Sequence, residues 1–213
     1  VAEGVSKMAL TGVRFSRSGD KSLTLTATDG ESRLGHVVLE QCKVSRKIDY
    51  IAKTADLLVG LEFFGRVKVT ATEGQLYLSG SGARVRLSLL AGVFPSIARL
   101  PKTFDHSISI PAEALATARK VTGYLDSDGI LKLQVADGKA RFLVEGREVG
   151  SFVVAVGKAK AADIDLLLDA RWLEPTASLG DTLKVQYSAA NSPVLFSAED
   201  RPWLYWLSPV TYG

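Results

Sequence analysis

The fold is indicated first by residues 10–35, which read LTGVRFSRSGDKSLTLTATDGESRLG. Leu23, Leu25 and Ala27 are separated by single threonines, and this alternation predicts a strand with one buried face. The groups SGDK and TDGE on either side of the strand supply Gly and Asp, which tolerate the positive φ angles of tight turns. This stretch therefore predicts antiparallel strands joined by hairpin turns.

The same alternation continues along the chain, in RVKVTA, QLYLSG, ARVRLSL, ILKLQVA and TLKVQYS. Turn signals such as TEGQ, GSGA and ADGK separate these segments at short intervals. We therefore predict an α+β protein that is mainly antiparallel β.

Three stretches follow helical spacing instead. Pro111 suits the first turn of the second helix, and Gly123 suits its C-terminal stop. Pro175 lies inside the third stretch and predicts a short or irregular helix there. The predicted helices cover residues 45–58 with Ser45 as N-cap, residues 111–123, and residues 169–180 with Asp169 as N-cap.

The two halves of the chain repeat this order of elements. Residues 8–40 match residues 128–156 in their pattern of strands and turns, and residues 43–58 match residues 166–179. A repeat of this length predicts an internal duplication of one structural unit.

The boundary between the two copies is predicted within FPSIARLPKTFDH, where two prolines and mixed polarity interrupt the strands. The predicted domains are residues 1–104 and 105–213. The second domain opens with a strand and a helix over residues 106–123, whereas the first has only residues 1–7 in that place. We therefore expect roughly one strand and most of one helix to precede Val1.

The residue chemistry disfavours an enzyme. His36 and His106 are the only histidines and lie in unrelated contexts, and the single Cys42 cannot form an internal disulfide or a CxxC metal site. The formal net charge of +3 permits a polyanionic partner without requiring one. We expect no catalytic site, no metal and no cofactor.

The sequence has no uninterrupted apolar run of about 18 residues, the length of a membrane span. It also shows no basic-then-apolar leader. These features predict a cytoplasmic protein without membrane contact.

Three segments together resemble the bacterial DNA polymerase III beta subunit, the sliding clamp. Residues 10–35 are similar to a signature of the clamp's second domain, FPSIARLP to its FP…R..LP segment, and SPVLF…LYWLSPV to its final strand and C-terminal tail. The resemblance implies the DNA-clamp fold, in which duplicated domains form a ring with helices lining its interior. It also implies a non-catalytic processivity factor that encircles duplex DNA without reading its sequence.

The chain departs from the clamp pattern in three ways. Ser32 adds a residue between DG and RL, the chain ends in TYG, and the chain holds two domains where bacterial clamps carry three and close as dimers. We predict a divergent two-domain clamp, of the kind that phages encode, closing as a trimer as clamps of the proliferating cell nuclear antigen type do. A fragment of a longer clamp is the alternative.

The resemblance also implies a hydrophobic pocket beside the C-terminal tail that captures short motifs of polymerases and clamp loaders. Alternation places Trp203 and Tyr205 in one set and Leu204 and Trp206 in the other, and the resemblance favours Trp206 for the pocket. The extra Ser32 leaves the position of the pocket arginine open by one residue. The implied pocket residues are Leu10, Thr28, Gly30, Arg33 and Leu34 in the first domain, Pro95, Arg99 and Leu100 in the linker, and Asp169, Trp172, Pro193, Val194, Trp206, Leu207, Ser208, Pro209 and Val210 in the second domain.

Cations on the predicted helices are the candidate contacts to duplex DNA, because helices line the interior of the clamp family's rings. An ordinary solvated helix face explains the same cations equally well. A phage structural or adhesive β protein without DNA binding therefore remains a second hypothesis. The implied DNA-binding residues are Arg46, Lys47 and Lys53 on the first helix, Arg119 and Lys120 on the second, and Arg171 on the third.

Overall fold

The computed structural model describes residues 7–17, 21–40, 48–64, 67–72, 74–126, 128–146, 150–159 and 163–211. The chain divides into two compact units, unit 1 (residues 1–97) and unit 2 (residues 98–213). The predicted boundary, after residue 104, lies seven residues C-terminal to the division after residue 97.

Unit 1 is built from seven strands and one α-helix among its described residues. They are β1 (Gly12–Arg17), β2 (Leu23–Thr28), β3 (Arg33–Leu39), β4 (Asp49–Lys53), α1 (Thr54–Phe64), β5 (Lys68–Thr72), β6 (Gln75–Gly80) and β7 (Ala83–Leu87), preceded by a 3₁₀ turn, Ala9–Thr11. One antiparallel sheet has the order β4-β1-β2-β3, and the other has the order β5-β6-β7.

Unit 2 has the same elements and two more at its start. They are β8 (His106–Pro111), α2 (Ala112–Leu125), β9 (Ile130–Ala136), β10 (Lys139–Gly146), β11 (Gly150–Lys158), β12 (Ile164–Asp169), a 3₁₀ helix (Ala170–Ser178), β13 (Thr182–Tyr187), β14 (Val194–Ala198) and β15 (Arg201–Leu207). A 3₁₀ turn, Ile97–Arg99, lies at the division. The sheets have the orders β11-β10-β9-β12 and β15-β14-β13-β8.

The order of elements confirms the predicted duplication. After β8 and α2, unit 2 runs through four strands, a helix and three strands, which is the order of unit 1 from β1 to β7. The buried Leu57 and Gly60 of α1 have the same spacing as the buried Leu173 and Thr176 of the 3₁₀ helix. The two helices are therefore equivalent, with a constant offset in residue number.

The first predicted helix is wrong over most of its described length. Residues 49–53 form β4, which pairs with β1 so that Phe15 faces Tyr50, and the helix begins only at Thr54. Pairing with a distant strand overrides the local helical spacing, because a strand's partners cannot be read from its own sequence. The proposed N-cap Ser45 lies outside the described residues.

The predicted start of the second helix is correct, but the observed helix extends beyond its predicted end. Pro111 occupies the N-cap position, but α2 continues through Gly123 to Leu125. The helix is followed by Asp126, whose carboxylate accepts the backbone N–H groups of Asp128 and Ile130. This turn ends the helix, so the glycine is not the stop.

The prediction of a short or irregular third helix is confirmed. It is a 3₁₀ helix with Pro175 inside, and the Asp169 carboxylate accepts the N–H of Arg171 as an N-cap. The 3₁₀ helix ends at Ser178, before Gly180.

The predicted face of β2 is only partly correct. Leu23 is buried, but Leu25 is half-buried and Ala27 is exposed, while Thr24 and Thr26 are buried as well. The Thr26 hydroxyl lies 3.0 Å from His36 Nδ1 on β3, and this contact gives a polar side chain a partner away from water.

No helix in the described part of the chain is long and apolar enough to cross a membrane.

Candidate peptide-binding and DNA-facing residues

The turn between β2 and β3 is organised by Asp29. Its carboxylate accepts the backbone N–H groups of Glu31, Ser32 and Arg33 at 2.9–3.1 Å, the Ser32 hydroxyl at 2.7 Å, and Arg33 Nε at 2.8 Å. The extra Ser32 is therefore accommodated by donating twice to the same carboxylate. Arg33 is therefore fixed by Asp29 within the turn, without a bound ligand.

These contacts also set the charge state of the turn. Partial burial alone would raise the pKa of Asp29, but the hydrogen bonds from Arg33, Ser32 and Glu31 outweigh burial and hold that pKa well below its usual range. Asp29 is thus ionised at neutral pH.

The other predicted unit 1 residues gather around the same turn. Thr28 donates its hydroxyl to the Arg33 carbonyl at 2.5 Å and accepts the N–H of Gly30 at 3.0 Å. Gly30 has φ +86°, and a Cβ there would lie 3.0 Å from Cδ1 of Leu10. Leu34 is buried at 7% exposure. The structure therefore brings all five unit 1 residues together, and it adds Asp29, which the sequence prediction missed although it stands within the TDGE turn signal.

The predicted linker residues lie on either side of the division between the units. Pro95 in unit 1 follows the buried Phe94 and is half-buried, and Leu100 in unit 2 is half-buried too. The side chain of Arg99 lies outside the described part of the structure.

The terminal strand β15 separates its side chains into a core set and an outer set. Tyr205 and Leu207 are buried in the unit 2 core, where Leu207 faces the fully buried Val194 of β14. Leu204 and Trp206 point the other way and are half-buried, and Trp203 is exposed. Val194 and Leu207 therefore support this region from beneath, whereas Trp206 offers surface to a ligand.

The tail beyond β15 folds back onto unit 2. The N–H of Val210 donates to the carbonyl of Leu167 on β12 at 2.8 Å, and the Tyr205 hydroxyl donates to the carbonyl of Trp172 at 2.6 Å. Ser208, Pro209 and Val210 are each half-buried, as are Pro193 and Trp172.

Asp169 and Arg171 form an ion pair at the start of the 3₁₀ helix. Asp169 is buried at 6% exposure and receives the Arg171 guanidinium at 2.6 Å. The guanidinium carbon lies 5.6 Å from the ring centre of Trp172. Asp169, a predicted pocket residue, therefore positions Arg171, a predicted DNA contact, beside a second pocket residue.

The predicted DNA contacts are only partly placed on helices. Arg119 and Lys120 lie on α2, where Arg119 pairs with Glu174 at 3.6 Å and Lys120 is exposed. Lys53 is exposed at the end of β4, because the helix starts one residue later, so its assignment to a helix is wrong. Arg46 and Lys47 lie outside the described residues.

Helix α1 itself contributes no positive charge. Its eleven residues, TADLLVGLEFF, include Asp56 and Glu62 and no Lys or Arg. The expectation that the first helix supplies three cations is therefore incorrect for the part of it that forms a helix.

No group of three or more His, Cys, Asp or Glu side chains within the described ranges could hold a metal ion.

Solved structures with the same fold are DNA polymerase III beta subunits. The beta chain of Streptococcus pneumoniae superimposes with a TM-score of 0.85 at 24% identity, covering 97% of this chain and 58% of that one. The Bacillus subtilis sliding clamp gives 0.85 at 18% identity, covering 100% and 60%. The Helicobacter pylori beta clamp bound to a DNA ligase peptide gives 0.82 at 19% identity, covering 99% and 60%. The chain therefore has the sliding-clamp fold, as predicted.

The chain spans about three fifths of the length of the clamps that it matches. No protein-family model matches it, and no curated protein does so.

Proposed function

We propose that the chain acts as a DNA sliding clamp, a non-catalytic processivity factor that encircles duplex DNA and tethers a polymerase through a peptide-binding pocket. The observation that carries this proposal is the duplicated unit with the fold of the beta clamps over nearly the whole chain. A clamp needs closure around DNA and weak contact with phosphates, and no catalytic group.

Closure into a ring is supported by two sheet edges. Among the described residues, β7 of unit 1 pairs only with β6, and β11 of unit 2 pairs only with β10. β11 exposes Phe152 at 38% and Val153 at 51%, which is unusual for an edge strand facing water. Pairing β11 of one copy with β7 of the next would cover both edges and give a head-to-tail ring, which we propose to be a trimer.

The mass in solution tests the ring. Light scattering should give three times the 22.8 kDa of one chain. Val153→Lys should release monomers, and Val93→Lys, at a similarly exposed valine of unit 1, should not. A strictly monomeric chain would contradict the trimer and favour either a fragment of a longer clamp or a β protein with another role.

The peptide pocket is supported by the unit 2 tail. Trp206 stands on the outer face of β15, and the hydrogen bond from Val210 to Leu167 holds the tail beside β12. Half-buried aromatic and aliphatic groups of this kind are the usual anchors for an extended peptide. The Leu10, Thr28 and Arg33 cluster of unit 1 is proposed to bind peptide as well.

The DNA ligase peptide that the Helicobacter pylori clamp binds is a direct probe. Fluorescence anisotropy should show saturable binding that Trp206→Ala weakens by about tenfold or more, because central aromatic anchors dominate such sites. Trp203→Ala, three residues away on the same strand and 46% exposed, is the matched control.

A second pair of variants examines unit 1 in the same assay. Arg33→Ala should weaken binding, and Arg14→Ala should not, although both arginines pair with an aspartate at 2.8 Å. Equal effects of Trp206→Ala and Trp203→Ala would contradict the proposed pocket.

DNA contact is proposed for Arg119, Lys120 and Arg171. Each phosphate contact that is lost should reduce the slope of log affinity against log salt by about one, so Lys120→Glu should bind a duplex more weakly and with less salt dependence. Lys139→Glu on β10 is the control, since it makes the same charge change on a strand. An unchanged slope in Lys120→Glu would remove α2 from the DNA-facing surface.

A further inference from the structure

The β5-β6-β7 sheet of unit 1 has one apolar face and one basic face. Leu76 and Leu78 of β6 are fully buried, and Leu78 lies against Gly60 of α1, so their side chains point toward the helix. Because side chains alternate along a strand, Tyr77 and Ser79 point the other way. The cross-strand partners of these two residues lie on the same side of the sheet, which we call the basic face. Its members are Lys68, Thr70, Tyr77, Ser79, Arg84 and Arg86.

The charge on the basic face has a single sign. The strands β5, β6 and β7 contain three Lys or Arg residues and no Asp or Glu. Lys68, Arg84 and Arg86 are exposed, and none of them forms an ion pair with another described residue. Pairing of β7 through its backbone edge, as proposed for the ring, would leave these side chains on the face. Three cations without carboxylates beside them attract a polyanion.

An aromatic ring stands among the cations of the basic face. The guanidinium carbon of Arg84 lies 3.6 Å from the ring centre of Tyr77, so the two groups are in contact. The Tyr77 hydroxyl donates to Oε1 of Gln75, which fixes the outer end of the ring. Aromatic rings and arginine guanidinium groups are the side chains on which unpaired bases stack. The face therefore offers a stacking platform in addition to its positive charge.

The equivalent face of unit 2 has a different chemistry. Each unit has a cross-strand row of three residues that starts with a lysine and is centred on a serine. These rows are Lys68, Ser79 and Arg84 in unit 1, and Lys184, Ser197 and Leu204 in unit 2. In the next row, Arg86 stands where unit 2 has Trp206. Two arginines thus occupy the places of Leu204 and Trp206, the outer set of β15, so the two copies of this face should bind ligands of different chemistry.

We propose that the basic face binds single-stranded nucleic acid, with its three cations on phosphates and with Tyr77 and Arg84 beneath a base. A duplex would meet the face of a sheet mainly at its phosphates, whereas unpaired bases can also stack. An acidic peptide would gain the ion pairs but leave the stacking platform unused. The face lies on the opposite side of the sheet from α1 and uses none of the helix cations, so this contact goes beyond the proposed clamp function.

A fluorescein-labelled oligothymidylate of about 12 nucleotides, within the usual size of single-strand sites, is the probe. Its anisotropy on titration with the whole chain should show saturable binding at low salt. The double variant Arg84→Ala and Arg86→Ala removes two phosphate contacts. It should weaken binding by about tenfold or more, and should reduce the slope of log affinity against log salt by about 1.4, because each contact on a single strand contributes about 0.7.

A matched pair of lysines locates the contact. Lys68 and Lys184 are equivalent in the two units, so Lys68→Glu and Lys184→Glu make the same charge change at the same place in the repeat. Lys68→Glu should weaken binding of the oligothymidylate, and Lys184→Glu should leave it unchanged.

Tyr77→Leu tests the stacking platform. Unit 2 has Leu195 at the equivalent position, so a leucine suits this sheet, and circular dichroism should show that the variant folds. Binding should weaken by about fivefold or more, because the contribution of one stacked base is lost. The salt slope should stay unchanged, since no cation is removed.

Four results would overturn the proposal. They are the absence of oligothymidylate binding at low salt, equal losses in Lys68→Glu and Lys184→Glu, unchanged binding in Tyr77→Leu, and an equal affinity for oligoglutamate or for a duplex of the same length. The last two would leave only a general contact with polyanions. None of them bears on the ring or on the ligase-peptide pocket, because those are measured with other residues.

Discussion

Units 1 and 2 share one order of strands and helices but differ in how far that order builds a core. Among the described residues, unit 2 holds one cluster of 24 buried apolar side chains, whereas unit 1 holds clusters of eight and three. The difference follows the two elements that unit 2 has in addition, β8 and α2. Strand order alone therefore does not fix stability, which depends on what covers each sheet.

The chain contains a natural reporter for this comparison. Trp172, Trp203 and Trp206 are its only tryptophans, and all lie in unit 2. Tryptophan fluorescence therefore follows unit 2, and far-ultraviolet circular dichroism follows both units. Any difference between the two signals during unfolding measures the difference between the units.

The largest effect is expected from a matched pair of valines. Val69 of β5 and Val185 of β13 occupy equivalent positions, but Val185 is fully buried and Val69 is half-buried. Val185→Ala should lower the free energy of unfolding of unit 2 by about 2 kcal/mol, and Val69→Ala should lower that of unit 1 by less than about 1 kcal/mol. Urea unfolding followed by both signals measures the two values.

Equal losses in the two variants would break the comparison. They would mean that Val69 is as well packed as Val185, and therefore that β5 is covered in solution.

A smaller effect is expected in acid, where unit 1 depends on the Asp29 turn. The pKa of Asp29 is lowered in the folded state, so its stabilisation is complete above the unfolded value of about 4 and is lost as the pH falls below it. Asp29→Asn should remove this part of the acid dependence and should destabilise unit 1 at neutral pH. Unfolding midpoints between pH 7 and 2, followed by circular dichroism, would show it.

Asp49→Asn provides the comparison for this test. Asp49 also pairs with an arginine, Arg14, but its side chain is 50% exposed, against 26% for that of Asp29. It should therefore change the acid dependence less than Asp29→Asn does. The opposite ranking would show that the turn is not the source of acid sensitivity in unit 1.

Secondary structure was predictable from the sequence only where it follows from local burial. Alternation identified β9 and β13 well, because each is packed on one face within unit 2 and their burial follows a period of two. It failed for β4, whose local spacing is helical and whose strand conformation comes from pairing with β1, a partner far away in sequence.

The candidate site divides along a similar line. Arg33 and Trp206 could be identified from the resemblance because each lies within a short sequence motif that is similar to one of the clamps. Asp29 could not be ranked above other turn aspartates, since its importance comes from five hydrogen bonds that exist only once the turn is folded. Likewise, the sequence did not show that Arg171, a predicted DNA contact, forms an ion pair with Asp169. Asp169 is also the N-cap of the 3₁₀ helix, so Arg171 has a structural partner within unit 2.

The smallest expected effect concerns Tyr187, which stands where unit 1 has Ala71. Its ring is fully buried, and its hydroxyl has no hydrogen-bond partner in the described part of the chain, so burial raises its pKa. Tyr187→Phe should leave the stability of unit 2 within about 1 kcal/mol or raise it slightly, because it removes an unpaired buried hydroxyl and keeps the ring. A clear loss in Tyr187→Phe, measured by tryptophan fluorescence in urea, would mean that the hydroxyl is paired and that ring packing is not the whole difference between β13 and β5.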